Sequence, residues 1–154
     1  MIPLDLTHQV LATENVQQRL LTGSRGVLST DDHSVIRRLF HDLLVFFAST
    51  YRDVFGLKIG PPLHDPIAIA VLLEGLGIEF DDQGGERWNV EVVTDGLHSD
   101  KDEERGQVGR TVTSKAAAGG VRIPRSLNVA RFWETVELCL NRVEESLDSS
   151  DSDQ

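Results

Sequence analysis

The stretch GPPLHDPIAIAVLL, residues 60–73, decides how the chain is read. A glycine followed by two prolines ends any preceding helix and forces a loop. The pair Asp65-Pro66 then marks a helix start, because aspartate is a favoured N-cap and proline is favoured at the first helical position. The segment that follows, DPIAIAVLLEGLG, is almost wholly apolar, which predicts a buried helix. His64 ends the Gly-Pro-Pro-Leu loop and is expected near a surface cleft. An imidazole there can act as a general acid, since its pKa lies near physiological pH. Asp65 can bind a cation or accept from sugar hydroxyls. A hard cation such as calcium takes about six to eight oxygen ligands, so one aspartate cannot build that site alone. The stretch is a helix cap, half of a catalytic site, or both.

Upstream, STDDHSVIRRLFHDLLVFFASTYRDVFG (29–56) carries the clearest helical signal. Val35, Ile36, Leu39, Phe40, Leu43, Leu44 and Phe47 recur at helical spacing and predict the inner stripe. Arg37, Arg38, His41 and Asp42 fill the other face, with Arg38 and Asp42 four apart. His33 and His41 are read as solvent-side residues. The opening IPLDL reads as a short buried strand. It is followed by a helix with Thr13 as N-cap, Val16, Leu20 and Leu21 as its apolar side and Gly23 as its stop. Downstream, IEFDD and RWNVEVVTDG read as strands joined by the turn-like DDQGGE, with RTVTSK and VRIP as further short strands. Val129, Phe132, Trp133, Val136, Leu140, Val143 and Leu147 predict the inner stripe of a terminal amphipathic helix, with Cys139 as a small core residue. Helices alternating with strands, followed by a strand-rich segment, predict an α/β layer architecture with some antiparallel or mixed edge.

Composition bounds the function classes. The 154 residues suffice for one domain with a hydrophobic core. Lys and Arg number 15 against 25 Asp and Glu, a formal net charge of −10. That balance opposes binding to phosphate backbones and to anionic membranes. No stretch approaches the roughly 20 apolar residues that span a bilayer. MIPLDLTHQV has no basic segment leading into an apolar one, and the single cysteine cannot form an internal disulfide, so a reducing, cytoplasmic compartment is expected. The acidic segments DDQGGE, HSDKDEERG and EESLDSSDSDQ read as solvated loops and a disordered end, residues 148–154 being the tail. DSSDSD lacks the glycine and the downstream glutamate of an EF-hand loop.

Three segments resemble a known family: PLDLTHQVLAT (3–13), PLHDPIAIAVLL (62–73) and RGQVGRTVTS (105–114). They are similar, in the same order, to the inosine–uridine preferring nucleoside hydrolases, with fungal uridine ribohydrolases nearest. The resemblance runs from residue 3 to about residue 147. It implies an α/β, Rossmann-like fold with a mostly parallel or mixed sheet, and hydrolysis of the N-glycosidic bond of ribonucleosides to ribose and free base. On this resemblance His64 is the catalytic acid that protonates the departing base. Asp65 is the calcium ligand that also contacts the ribose hydroxyls. Tyr51 and Phe55 fall in the segment that in relatives forms a flap over the base. Calcium is the implied cofactor, a ribonucleoside the implied partner, and a homo-oligomer is left open.

The chain also departs from the family. The aspartate-rich DxDxGxDD motif and the central asparagine- and glutamate-rich segment do not occur in it. Residues 1–147 therefore read as the C-terminal part of a nucleoside hydrolase domain with its N-terminal half absent and its calcium site incomplete. On this reading the isolated chain is expected to be a truncated, inactive form. The alternative is a non-catalytic remnant or interaction module that associates with a full-length relative. His8, at the end of LDLTH, is expected near the site but structural, and His98 is expected to be exposed.

Overall fold

The computed structural model describes residues 1–23, 34–75, 77–95, 107–116 and 118–151. In chain order the elements are α1 (Leu4–Thr7), α2 (Glu14–Thr22), α3 (Val35–Phe55), α4 (His64–Ala70), β1 (Phe80–Asp81), β2 (Trp88–Val92), β3 (Thr111–Lys115), β4 (Ser126–Leu127) and α5 (Val129–Asp151). A turn of 3-10 helix, Val71–Leu73, extends α4. The helix ends follow local chemistry. The Thr13 hydroxyl accepts from the Val16 amide at the start of α2, and the Ser34 hydroxyl accepts from Arg37 at the start of α3. Gly56 closes α3 in the left-handed conformation, φ 70°.

Several expectations change. IPLDL is not a strand: Pro3 stays extended, and its carbonyl accepts from the Leu6 and Thr7 amides, opening one helical turn. Over four residues helical and strand periods cannot be told apart, and a proline ahead of Asp5 favours the helix start. A mostly parallel, Rossmann-like sheet is also not what forms. The strands make two separate antiparallel pairs, β1 with β4 and β2 with β3. Thus IEFDD and RWNVEVVTDG are both strands but not partners. VRIP contributes only a bridge between Val121 and Trp88, while the ordered strand is Ser126–Leu127. Helix α4 starts at His64 and not at Pro66, so Asp65 lies within its first turn and not at the cap. Nor is α4 buried all round. Ile67 and Ala70 are in the core, while Ile69 and Leu72 are 66% and 77% exposed. Cys139 lies on α5 but is exposed. The tail expected to be disordered from residue 148 continues α5 to Asp151, and residues 152–154 lie outside the described part.

The core joins Leu6 and Val10 from the first segment, Leu20 of α2, Leu44 of α3, Ile67 of α4 and Phe132, Trp133 and Leu140 of α5. Helix α3 meets it one position out of the expected register. Arg37 is 4% exposed, whereas Leu39, Leu43 and Phe47 are about half exposed. The cause is a set of acceptors. The Arg37 guanidinium donates to the Glu144 carboxylate at 2.9 Å, to Asn141 Oδ1 on α5, and to the Leu20 carbonyl in the last turn of α2. A cation there satisfies an orphan carbonyl and complements the helix dipole. Asp42 pairs with the adjacent His41 at 3.4 Å.

A short backbone pairing sets the remaining geometry. The Ala12 amide donates to the Pro61 carbonyl and the Leu63 amide donates to the Val10 carbonyl, both at 3.0 Å. Gly60 sits against this pairing with φ 158°, and a Cβ added there would lie 2.4 Å from the Ala12 oxygen. The obstacle is backbone, which cannot rotate away. Gly60→Ala is therefore expected to destabilise the protein by about 1–3 kcal/mol, the usual scale of overpacking, read as a lower urea midpoint at unchanged slope.

Arg122 fastens the strand-rich part. Its guanidinium binds the Glu74 carboxylate through both terminal nitrogens, Asp82 Oδ2 at 2.6 Å through Nε and the Phe80 carbonyl at 3.1 Å. The hydrogen bond from Arg122 holds the Glu74 carboxyl below its ordinary value. The Gly85 amide, followed by Arg122, does the same for Asp82. Carboxylates with lowered native pKa values add stability that is complete above their unfolded values and disappears as pH falls through the native ones. Thermal midpoints are thus expected to drop steeply below about pH 4, the ordinary carboxylate range. Arg122→Gln is expected to lower the midpoint at neutral pH and to flatten that acid limb. An unchanged limb in the variant would contradict the clamp.

Candidate active site

The pairing of residues 10–12 with 61–63 lays the end of α1 beside the start of α4. Fifty-seven residues apart in sequence, Thr7 Oγ1 and His64 Nδ1 come within 2.8 Å. Thr7 is 3% exposed, and its hydroxyl also donates to the Leu4 carbonyl at 3.1 Å. The His8 ring lies 5.6 Å from that of His64, and the Tyr51 ring lies 5.9 Å from it on the opposite element, α3. Tyr51 in turn contacts Phe55, ring centres 5.3 Å apart.

Between α3 and the loop leading into α4 is a groove of about 270 Å³. Phe40, Leu44, Phe47 and Tyr51 form one wall, and Leu63 and His64 are on the other. Two clefts elsewhere are larger, about 500 Å³ beside Trp88 and about 580 Å³ beside His41. Size does not decide between them. The smaller groove is where an aromatic wall ends on an imidazole and a carboxylate, the mixture that small organic ligands require.

Burial holds the His64 imidazolium below its ordinary pKa, the neighbouring His8 adds to that, and Asp65 works against both. At neutral pH His64 is therefore mainly the uncharged imidazole. Asp65 is solvent-exposed at the mouth of the groove. Among the described residues no group of three or more His, Cys, Asp or Glu side chains is placed to hold a metal ion. A single exposed carboxylate does not match the donor number of calcium. The described residues alone do not fit that cofactor.

Of the residues singled out in the sequence, His64, Asp65 and Tyr51 come together at one groove. Phe55 does not line it; it is 65% exposed and reaches the site only through Tyr51. His8 is exposed but adjacent. His33 and His98 lie outside the described residues. The sequence reading missed Thr7, and it put Phe47 on the inner stripe where it is half exposed on the groove wall; Phe40 packs against the core and also lines the groove. Thr7 lies within the quoted LDLTHQ, but its contact depends on a backbone pairing that sequence spacing does not encode.

The chain is similar in sequence to known proteins. A family model described as "Inosine-uridine preferring nucleoside hydrolase" matches residues 1–134. The chain is 30% identical over 150 residues to a "Uridine nucleosidase" of Saccharomyces cerevisiae, covering 93% of this chain and 40% of that protein. It is 24% identical over 154 residues to a "Probable ribonucleoside hydrolase" of Dictyostelium discoideum, covering 95% of this chain and 40% of the relative. It thus spans about two fifths of the length of these relatives.

Proposed function

Because this chain belongs to the inosine–uridine preferring nucleoside hydrolase family, we propose that it supplies the base-binding and acid side of a nucleoside N-ribohydrolase site. The observation that carries this reading is the meeting of His64, Tyr51 and an aromatic wall in one groove. A planar nucleobase packs against the wall made by Phe47 and Tyr51 with one edge toward His64. Asp65, at the mouth, accepts from the ribose hydroxyls. As the bond from C1′ to the base nitrogen breaks, its electron pair goes to the base, and the sugar becomes oxocarbenium-like. His64, in its imidazolium form, gives that base a proton, and water adds to C1′ and loses a proton to solvent. Asp65 would be one ligand of a calcium site that other oxygens complete.

The relatives' names suggest uridine and other ribonucleosides as substrates. Neither nucleic acid nor a membrane is proposed as a partner, on the strength of the net charge of −10. No described helix is long and apolar enough to cross a membrane. The cytoplasm is the proposed compartment, supported by one exposed free thiol.

The test is release of free base and ribose from uridine and from inosine by a longer family member whose matching segment is replaced by this chain, with His64→Ala in parallel. Release abolished in the variant supports the reading, and release equal in both proteins excludes it. For the chain on its own we expect binding with little or no turnover.

A second reading has its own support. Leu39, Phe46, Ile69 and Leu72 are 54%, 64%, 66% and 77% exposed, apolar side chains on α3 and the α4 segment that a partner chain would cover. It makes the chain a non-catalytic module that associates with a longer relative. Under it, His64→Ala leaves the function intact and the protein co-purifies with a family member.

A further inference from the structure

We infer that Thr7 is a positioning residue that fixes the neutral tautomer of His64, with the proton on Nδ1 and the lone pair on Nε2. The inference deepens the proposed role of His64 and takes that role as its premise. The Thr7 hydroxyl has one hydrogen and two close polar neighbours, the Leu4 carbonyl at 3.1 Å and His64 Nδ1 at 2.8 Å. A carbonyl oxygen can only accept. If the hydroxyl hydrogen pointed at Nδ1, two oxygens would face each other at 3.1 Å with only lone pairs between them. The assignment in which each contact carries a hydrogen has Thr7 donating to Leu4 and His64 Nδ1–H donating to Thr7.

This arrangement serves both protonation states. The imidazolium also has a hydrogen on Nδ1, so Thr7 keeps the same orientation when Nε2 is protonated and when it is not. A site that need not rotate a hydroxyl between states is preorganised for proton transfer at one nitrogen. Burial makes it hold: Thr7 is 3% exposed, so water does not readily substitute for its oxygen. The second nitrogen of a working histidine is commonly held by such a partner, which sets which nitrogen is active. Among the described residues Thr7 is the hydrogen-bond partner of Nδ1, and His8 and Tyr51 meet the ring only through ring contacts.

The experiment is nitrogen-15 NMR of the histidine rings in the full chain at a pH where His64 is neutral, with His64→Gln identifying its signals. The expected result is the Nδ1–H signature for His64 in the wild type. Thr7→Ser is expected to keep it, and Thr7→Val, which removes the hydroxyl at nearly constant shape, to lose it in favour of Nε2–H. An Nε2–H signature in the wild type overturns the inference, even if the valine variant does not fold. So does an Nδ1–H signature that persists in Thr7→Val. Neither readout uses turnover. A chain that binds neither uridine nor inosine yet shows the Nδ1–H signature would sink the proposed site and leave the tautomer assignment standing.

Discussion

His64→Ala is expected to lower nucleoside cleavage by roughly 10²–10⁴-fold, the usual contribution of a positioned general acid, in any preparation where this chain supplies the acid. The loss belongs mainly to kcat. The apolar wall that receives the base comes from α3, through Phe40, Phe47 and Tyr51, and none of it depends on His64. KM should therefore change much less than kcat, the pattern of an interaction made in the transition state and not in the ground state. Steady-state kinetics on uridine and inosine read both constants. A rise in KM at constant kcat would make His64 a binding residue only, and the acid role would be withdrawn.

Arg37→Met is expected to destabilise the fold by about 3 kcal/mol, at the lower end of what breaking a buried ion pair costs. Methionine keeps the apolar stem, so the change isolates the guanidinium. Three acceptors lose a donor together: the Leu20 carbonyl, Asn141 and Glu144. These belong to two helices, α2 and α5, that Arg37 ties to α3. Glu144 is only 11% exposed at its side chain, so its carboxylate is poorly rehydrated when the arginine goes. Urea unfolding reads the loss, and a double-mutant cycle with Glu144→Gln apportions it between partners. A loss below about 1 kcal/mol would make the pair one of those worth no more than a surface bridge.

What could be read from the sequence divides along physical lines. The long helices were legible because α2, α3 and α5 each repeat their apolar positions over several turns, and because Thr13, Gly23 and Gly56 punctuate their ends. Even so, α3 sits one residue out of register. A stripe of Val, Leu and Phe signals an inner face, but Arg37 outweighs it by meeting three acceptors that are far away in sequence. Strands were legible in IEFDD, RWNVEVVTDG and RTVTSK, but their pairing was not. They are two to five residues long, and Phe80 pairs with Leu127 across 46 intervening positions, which no local pattern reports. In α4 the apolar run was read as burial, yet Ile69 and Leu72 face outward: composition gives apolarity and not the number of faces covered.

The site shows the same division. His64 and Asp65 were legible as neighbours in a distinctive motif, and Tyr51 through family resemblance. Phe55 came with Tyr51 but stands one contact away from the groove. Thr7 was invisible as a partner of His64 because only the pairing of residues 10–12 with 61–63, permitted by the missing Cβ of Gly60, carries α1 to α4.

The measurement closest to the central claim is a map of intermolecular NMR contacts between uridine and the protein. The account predicts contacts from the uracil ring protons to the rings of Tyr51, Phe47 and His64, with ribose protons nearer the mouth at Asp65. Contacts confined to another cleft, such as the one beside Trp88, would contradict it, and so would binding that is unchanged when Tyr51 is replaced by alanine.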